Sequence, residues 1–386
     1  MNVRIGSEEK GDCVVEIVRG GAIEVETKNT DLLEEGIRTV ARETISSLGA
    51  KGGARVLDIG ALDYVIAARI EAAVRTAHPD ETRPLVPSVD RCATDRDRPR
   101  RSRLYAPGNR PRLLVGIEIH GADSVLLDLE DSVPPAEKAS ARILVKHLLA
   151  AVDFGGEAWV RINPLEVCGA RDVEEVLLGR PHGICLPKAE SAEDVRALSE
   201  LLSRVESEHG IDEGTTWIMP IVETAKGILH AEQIAAADPR VVALAFGAED
   251  FTRDLGALRT RDSLLCARSA LVAAAKAAGI QASDTVYADI EDDAGLAEEC
   301  AHARELGFDG KGAINPRQLP TIHRAFSPTA AELDHARRVV AAAEEAEAAG
   351  SGAIALDGKM VDRPVLERAR LLIRYGEQLV ERGDAA

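Results

Sequence analysis

Polar or ionisable side chains end nearly every short apolar run between Arg103 and Asn315. Carboxylates dominate this set, and neither Cys nor His stands among them. Oxygen donors of this kind favour a hard cation, Mg²⁺ or Mn²⁺, over zinc. The set comprises Asn109, Asp128, Glu130, Asp131, Arg161, Asn163, Lys188, Glu223, Glu249, Asp250, Asp289 and Asn315.

Glu223 and Asp250 are the predicted ligands of this ion. They follow two successive runs, Trp217–Val222 and Val241–Phe246, so we expect them on neighbouring strands. Mg²⁺ typically takes one or two protein carboxylates and completes its shell with water and substrate oxygens. The Asp128–Asp131 carboxylates would hold metal-bound waters. For any single carboxylate, a helix cap or a solvated loop is the alternative interpretation.

Arg161 and Lys188 are the cations of the set. Arg161 is expected to grip a substrate carboxylate with its planar fork of donors. A Schiff-base role for Lys188 is disfavoured, because a lysine among carboxylates stays protonated. The inventory instead favours metal-assisted chemistry, in which an ion chelated by a keto acid or hydroxy acid stabilises an enolate.

Alternating strand-like and helix-like segments must position these groups. Repeated alternation implies parallel strands joined by right-handed crossovers, and eight units of this size predict a (β/α)8 TIM barrel. An open doubly wound sheet is the competitor, but no Gly-rich phosphate loop follows the first run. The predicted strands are Arg103–Tyr105, Ser124–Leu127, Ala158–Ile162, Gly183–Leu186, Trp217–Val222, Val241–Phe246, Thr285–Ala288 and Gly312–Ile314.

Composition narrows the class of protein. The 386 residues are 45% hydrophobic but 3% aromatic, which suits buried parallel strands and Ala-rich helices. A formal net charge of -18 disfavours binding to nucleic acid or anionic membranes. No apolar run is long enough to span a bilayer. The six scattered cysteines are typical of reduced thiols, and we expect a cytoplasmic protein.

The chain divides into four predicted parts. Residues 1–76 form a small α+β domain, with a hairpin expected around Arg19–Gly21. Residues 77–102 are a linker rich in proline and charge, and 103–328 are the barrel. The last part, 329–386, is a pair of helices around a Gly-rich segment, interpreted either as a lid or as a simple helical hairpin.

Motifs after the linker resemble the citrate lyase beta subunit family over about 285 residues. This resemblance implies an oligomeric Mg²⁺ enzyme that cleaves or forms citryl, malyl or citramalyl thioesters. The motifs are Arg101–Asn109, Asp128–Val133, Val160–Pro164, Leu186–Lys188, Ile221–Thr224, Phe246–Phe251, Arg259–Arg261, Phe308–Lys311 and Met360–Pro364.

The resemblance also implies roles for individual residues. Glu223 and Asp250 would hold the metal, and Arg161 would grip the keto acid. Asp362, in the lid of a neighbouring subunit, would be the acid/base. The remaining substrate contacts would come from Tyr105, Asn109, Lys138, Asp128 and Glu130. At Asn315 the family more often carries His, so we give this residue no role.

Residues 1–76 resemble the citrate lyase acyl carrier (gamma) subunit, through Gly11–Val15, Gly60–Asp63 and Ala67–Glu71. That family attaches a CoA-like arm to a serine where this chain has Lys10, and lysine cannot accept the phosphodiester. Ser7, three residues earlier, would serve if the loop shifted. The domain is therefore predicted either to carry the arm on Ser7 or to act in docking or oligomerisation.

The predicted function is a Mg²⁺-dependent carbon–carbon lyase that splits a β-hydroxyacyl thioester into a keto acid and an acyl thioester. The alternatives are condensation or thioester hydrolysis at the same site, or a non-catalytic subunit of a larger lyase complex. A homo-oligomer, trimer or hexamer, is expected, with an alpha-type lyase subunit as a further partner.

Overall fold

The small N-terminal sheet has four strands, β1 (Arg4–Ile5), β2 (Cys13–Val18), β3 (Ile23–Thr27) and β4 (Gly53–Asp58). Helices α1 (Glu34–Ser47) and α2 (Asp63–Ala77) cover it. The computed structural model describes residues 3–18, 20–28, 33–50, 52–80, 82–89, 91, 93–348, 354–357 and 359–383.

The strand order β1-β2-β4-β3 corrects the expected hairpin. Strand β4 lies between β2 and β3, antiparallel to β2 and parallel to β3. Alternation along β2 and β3 indicates which side chains face the core, but it does not identify the neighbouring strand. Arg19, at the expected turn, lies outside the described residues.

Eight parallel strands close into a barrel, which confirms the predicted fold. Their order around the barrel follows the chain, as repeated right-handed crossovers require. The strands are β5 (Ser102–Pro107), β6 (Ser124–Asp128), β7 (Glu157–Arg161), β8 (Gly183–Leu186), β9 (Trp217–Val222), β10 (Ala243–Phe246), β11 (Gln281–Asp284) and β12 (Gly310–Ala313).

The seventh barrel strand lies earlier in the chain than the sequence predicted. It spans Gln281–Asp284, whereas Thr285–Ala288 follows it as a loop. The sequence does not indicate this strand, because the fully buried carboxylate of Asp284 interrupts the apolar run that marks the other strands. Its charge is balanced by Arg268 at 2.8 Å and Lys311 at 2.9 Å, both far away in sequence.

Ten helices surround the barrel, and apolar positions on the longer ones pack against the strands. Among the described residues, no helix is long and apolar enough to cross a membrane. The helices are α3 (Pro111–Leu114), α4 (Lys138–Ala151), α5 (Ala170–Val176), α6 (Ala192–Glu208), α7 (Ala225–Leu229), α8 (Ala231–Ala235), α9 (Ala248–Leu255), α10 (Arg261–Ala277), α11 (Asp293–Leu306) and α12 (Leu319–Phe326).

The C-terminal part consists of α13 (Ala330–Ala348), a two-stranded ribbon and α14 (Arg363–Glu381). Strands β13 (Ile354–Leu356) and β14 (Lys359–Val361) form the ribbon. The start of the Gly-rich segment, residues 349–353, lies outside the described part of the chain. Just beyond α14, Arg382 contacts Asp123 at 3.1 Å, which fixes this end of the helix at the amino ends of the barrel strands.

Helix α2 of the small domain packs directly on α4 of the barrel through a buried ionic cluster. Lys146, fully buried, donates to Glu71 at 2.6 Å and to Glu175 at 2.7 Å. Arg75 contacts the same two carboxylates, and His147 Nε2 lies 2.6 Å from Glu71. Burial alone would raise the pKa of Glu71, but His147 and Lys146 lower it to about 2. The small domain is therefore docked on the barrel by charge pairs as well as by apolar contact.

Removal of the central cation of this cluster should strongly destabilise the protein. Lys146→Met leaves Glu71 and Glu175 buried with weaker compensation, and we expect a loss of about 3–5 kcal/mol in unfolding free energy. Urea unfolding followed by circular dichroism measures it. The control is Lys226→Met, whose exposed pair with Glu190 should contribute less than about 1 kcal/mol. Equal losses in the two variants would contradict the proposed importance of the buried cluster.

Candidate active site

Glu223 follows β9 directly and is buried, with 2% of its surface exposed. Its Oε1 accepts a hydrogen bond from the Lys188 amide at 2.9 Å. A Cβ at position 247 would lie 2.4 Å from Glu223 Oε2, so the chain passes this carboxylate closely and needs glycine there. The Glu223 side chain is thus held between the ends of β8 and β10.

Asp250 lies in the first turn of α9, after the end of β10, and its side chain is mostly buried. Arg253 lies on the next turn and is exposed, and its Nη2 lies 2.5 Å from Asp250 Oδ1. The predicted placement after two neighbouring strands agrees with the pairing of β9 and β10. Short connections from both strands therefore bring the two carboxylates to the same rim.

Carboxylates at this rim repel one another. Burial, followed by the charges of Asp250 and Glu130, raises the pKa of Glu223 to about 8. A divalent cation between these carboxylates would remove that repulsion. The donors are all oxygens. No group of three or more His, Cys, Asp or Glu side chains in the described chain is arranged to hold a metal ion, so the candidate site is a pair of carboxylates. Two carboxylates with water and substrate fit Mg²⁺.

Arg161, at the end of β7, is engaged by carboxylates of its own chain. Its Nε and Nη2 donate to Asp128 at 2.7 and 2.8 Å, and its Nη1 lies 2.9 Å from Glu130. Burial alone would lower the pKa of Arg161, but the hydrogen bonds to Asp128 raise it well above its ordinary value. The two hydrogen bonds to Asp128 use two of the five guanidinium N–H groups.

Lys188 is also paired on this rim. Its ammonium group donates to the Glu130 carboxylate. Burial would lower the pKa of Lys188, but Glu130 outweighs it and raises this pKa. The ammonium therefore stays charged, which agrees with the sequence argument against a Schiff-base nucleophile.

Three other predicted substrate-binding residues lie on β5 or on the segments that follow β5 and β6: Tyr105, Asn109 and Lys138. The Tyr105 ring lies under Arg161, with the guanidinium carbon 5.7 Å from the ring centroid. Asn109 donates to Glu137 at 2.7 Å, and its carbonyl accepts from Arg69 of the small domain at 3.3 Å. Lys138 donates to the Leu129 and Glu130 carbonyls at 2.9 and 2.8 Å, so it fixes the loop that carries Glu130.

No hydrogen bond or ion pair of the described chain joins this cluster to four other residues named from the sequence: Asp362, Asn315, Ser7 and Lys10. Asp362 caps α14, where its carboxylate accepts from the Val365 amide at 3.1 Å, and no hydrogen bond or ion pair among the described residues joins it to the rim. Asn315 caps the turn after β12. In the small domain, Ser7 donates to Asp12 at 2.8 Å, whereas Lys10 is exposed.

Two further residues around the site were missed from the sequence. Gly247 stands immediately before the Ala-Glu-Asp segment, and a glycine at this point after a strand is a signal of close chain approach. Arg103 stands two residues before Tyr105 on the same strand, and this spacing places both side chains on the inner face of the barrel.

Comparison with known proteins agrees with this architecture. The family model for HpcH/HpaI aldolase/citrate lyase matches residues 101–316, and the model for the malonate decarboxylase delta subunit (MdcD) matches residues 1–77. The citrate lyase subunit beta of Escherichia coli (strain K12) is 43% identical over 284 residues, which cover 72% of this chain and 94% of that protein.

Two other relatives extend the comparison. A (3S)-malyl-CoA thioesterase of Cereibacter sphaeroides is 37% identical over 290 residues, covering 74% of this chain and 97% of that protein. The crystal structure of CitE from Mycobacterium tuberculosis with magnesium, acetoacetate and coenzyme A superimposes with a TM-score of 0.60 and 36% identity, covering 73% of this chain and 100% of that chain. The chain therefore belongs to the HpcH/HpaI aldolase/citrate lyase family, with a carrier-like domain fused ahead of the barrel.

Proposed function

We propose that this protein is a Mg²⁺-dependent carbon–carbon lyase that splits a β-hydroxyacyl-CoA thioester into a keto acid and an acyl-CoA. The observation that carries the proposal is the buried Glu223 beside Asp250, on the same rim as Arg161. The CitE structure from Mycobacterium tuberculosis, with magnesium and coenzyme A, supports it.

Glu223 and Asp250 would hold the metal by oxygen atoms alone. When bound, Mg²⁺ supplies a Lewis acid that stabilises negative charge on the oxygens of the keto acid. The hydrogen bond from the Lys188 amide keeps Glu223 in place. The ion pair between Glu130 and Lys188 keeps both of these side chains charged and ordered beside it. The chain thus supplies a prearranged oxygen site, which needs little reorganisation during the reaction.

Arg161 would orient the keto-acid carboxylate. Asp128 and Glu130 fix the position of the guanidinium, and N–H groups not bonded to Asp128 would donate to the substrate carboxylate. In the cleavage direction a water molecule accepts the proton of the β-hydroxyl as the carbon–carbon bond breaks. A new carbonyl forms on the keto acid, and the bonding pair remains on the α-carbon of the thioester.

Asp362 of a neighbouring subunit would then protonate that α-carbon. Its exposure at the start of α14 leaves it accessible to a neighbouring subunit. Arg382, beyond the other end of the helix, is fixed near Asp123, and the intervening helix is about 28 Å long. Asp362 therefore stands far from the amino ends of its own barrel strands, exposed and unconnected to its own rim residues in the described chain.

Free CoA thioester is the proposed form of the substrate. Lys10 has no hydroxyl group for a phosphodiester, and the nearby Ser7 hydroxyl already donates to Asp12, which is paired with buried Arg69 at 2.9 Å. Intact mass measurement of the protein from its native host tests this point. An added CoA-like arm on Ser7 would contradict it.

The decisive experiment supplies citryl-CoA, malyl-CoA and citramalyl-CoA separately, with Mg²⁺ and with EDTA. Release of a keto acid and an acyl-CoA from at least one thioester, abolished by EDTA and restored by Mg²⁺, is the expected result. No metal-dependent turnover of any of the three would overturn the proposal.

Thioester hydrolysis is the second candidate function, because a (3S)-malyl-CoA thioesterase is among the similar proteins. Hydrolysis releases free CoA with the hydroxy acid intact, whereas cleavage releases a keto acid. Assays of free thiol and of keto acid on the same reaction therefore separate the two activities.

A further inference from the structure

Arg103 is a buried cation without a carboxylate partner. It lies on the inner face of β5 and is 3% exposed. No Asp or Glu of the described chain lies within 4 Å of its guanidinium nitrogens, and its Nε has no hydrogen-bond partner. Its Nη1 instead lies 2.9 Å from the Met219 sulfur.

Burial of an unpaired guanidinium group lowers the stability of the fold. A buried ion is normally paired, because the loss of hydration is otherwise uncompensated. The other five buried arginines of the described residues follow that rule, each with a carboxylate at 2.6–2.9 Å: Arg69, Arg100, Arg101, Arg240 and Arg268. Exceptions of this kind concentrate at functional sites.

The function of the cation is suggested by Tyr105. Arg103 Nη2 donates to the Tyr105 hydroxyl at 3.1 Å, and its guanidinium carbon lies 5.3 Å from the ring centroid. Arg161 lies 5.7 Å from the same centroid. The ring therefore contacts two guanidinium groups. Since the hydroxyl oxygen accepts from Arg103, its own proton remains available for another acceptor.

We propose that Arg103 is a positioning residue, which holds the Tyr105 hydroxyl as a hydrogen-bond donor to an oxygen of the keto acid bound at Arg161. The inference rests on the proposed function, since that function places the keto acid there. Arg103 acts through Tyr105, and its own side chain stays buried beneath the site.

If Arg103 is retained for function, its removal should leave stability unchanged or raise it and should weaken binding of the keto acid. Arg103→Met replaces it by an apolar side chain next to Met219, and we expect the melting temperature to stay constant or rise by a few degrees. Affinity for pyruvate in the presence of Mg²⁺, measured by calorimetry, should fall about 10-fold, as for loss of one hydrogen bond.

The coupling is tested with Tyr105→Phe. If both residues act through one hydroxyl, the double variant should bind pyruvate about 10-fold more weakly than wild type, not about 100-fold. Arg103→Lys, which keeps a donor for the hydroxyl, should recover part of the affinity. Additive losses, or an unchanged affinity in Arg103→Met, would overturn the positioning role.

The control is Arg240→Met, which removes a paired buried arginine and leaves Glu206 without its cation. This variant should lose stability and keep its affinity for pyruvate. Similar destabilisation in Arg103→Met without a change in pyruvate binding would mean that Arg103 is merely structural. Absence of pyruvate binding by the wild type itself would instead count against the proposed function.

Discussion

Glu223→Gln should abolish the metal-dependent reaction, with kcat/KM lowered by about 10³-fold or more, equivalent to about 4 kcal/mol. Glutamine keeps the size of the side chain and the hydrogen bond from the Lys188 amide, but it removes the charge that binds the cation. Turnover of the preferred thioester across a Mg²⁺ titration measures the effect. The remaining activity should show little response to Mg²⁺.

Glu249→Gln is the matched control. Glu249 stands next to Asp250 on α9, is exposed and pairs with Arg259 at 2.8 Å, so its loss should change kcat/KM by less than about threefold. Comparable losses in the two variants would show that general acidity of the rim, and not a defined ligand pair, supports the reaction.

Glu223→Gln should also change how the stability of the metal-free protein depends on pH, which is measured in EDTA. The pKa of Glu223 is raised from 4.5 to about 8, chiefly by burial and then by Asp250. A carboxyl whose folded pKa is raised favours folding when protonated, so its contribution is lost as pH rises through this window. Melting temperatures of the metal-free wild type should fall relative to those of Glu223→Gln between pH 4.5 and 8. Parallel curves would contradict the raised pKa.

Asp362→Asn should lower kcat by about 10²–10⁴-fold while leaving Mg²⁺ binding unchanged. Asparagine is as good a helix cap as aspartate, so α14 should keep its stability. If Asp362 serves the neighbouring subunit, co-expression of Asp362→Asn with Glu223→Gln should restore activity. About a quarter of the sites in a random mixture would combine both intact residues.

Asp357→Asn provides the control for charge in the same ribbon. Asp357 has a positive φ of 49° and pairs with Arg338 at 2.6 Å, and asparagine tolerates this backbone conformation. Its kcat should match the wild type. A mixed oligomer with no more activity than its two parents would rule out a site shared between subunits.

Local pattern was sufficient for much of the architecture. Alternation of strand-like and helix-like segments predicted the barrel, because buried parallel strands and amphipathic helices each leave a periodic signature. It failed at Gln281–Asp284, where a buried charge breaks the apolar run, and at β2 and β3, whose separation by β4 is not encoded in either strand.

The sequence by itself predicted which polar residues share one rim, because groups that follow parallel strands lie at the same end of a barrel. Tertiary structure decided their electrostatic state. It pairs Arg161 with Asp128 and Glu130, buries Glu223 among like charges and leaves Arg103 without a carboxylate. The physical reason is that desolvation and charge compensation depend on partners distant in the chain, which appear only when the barrel closes.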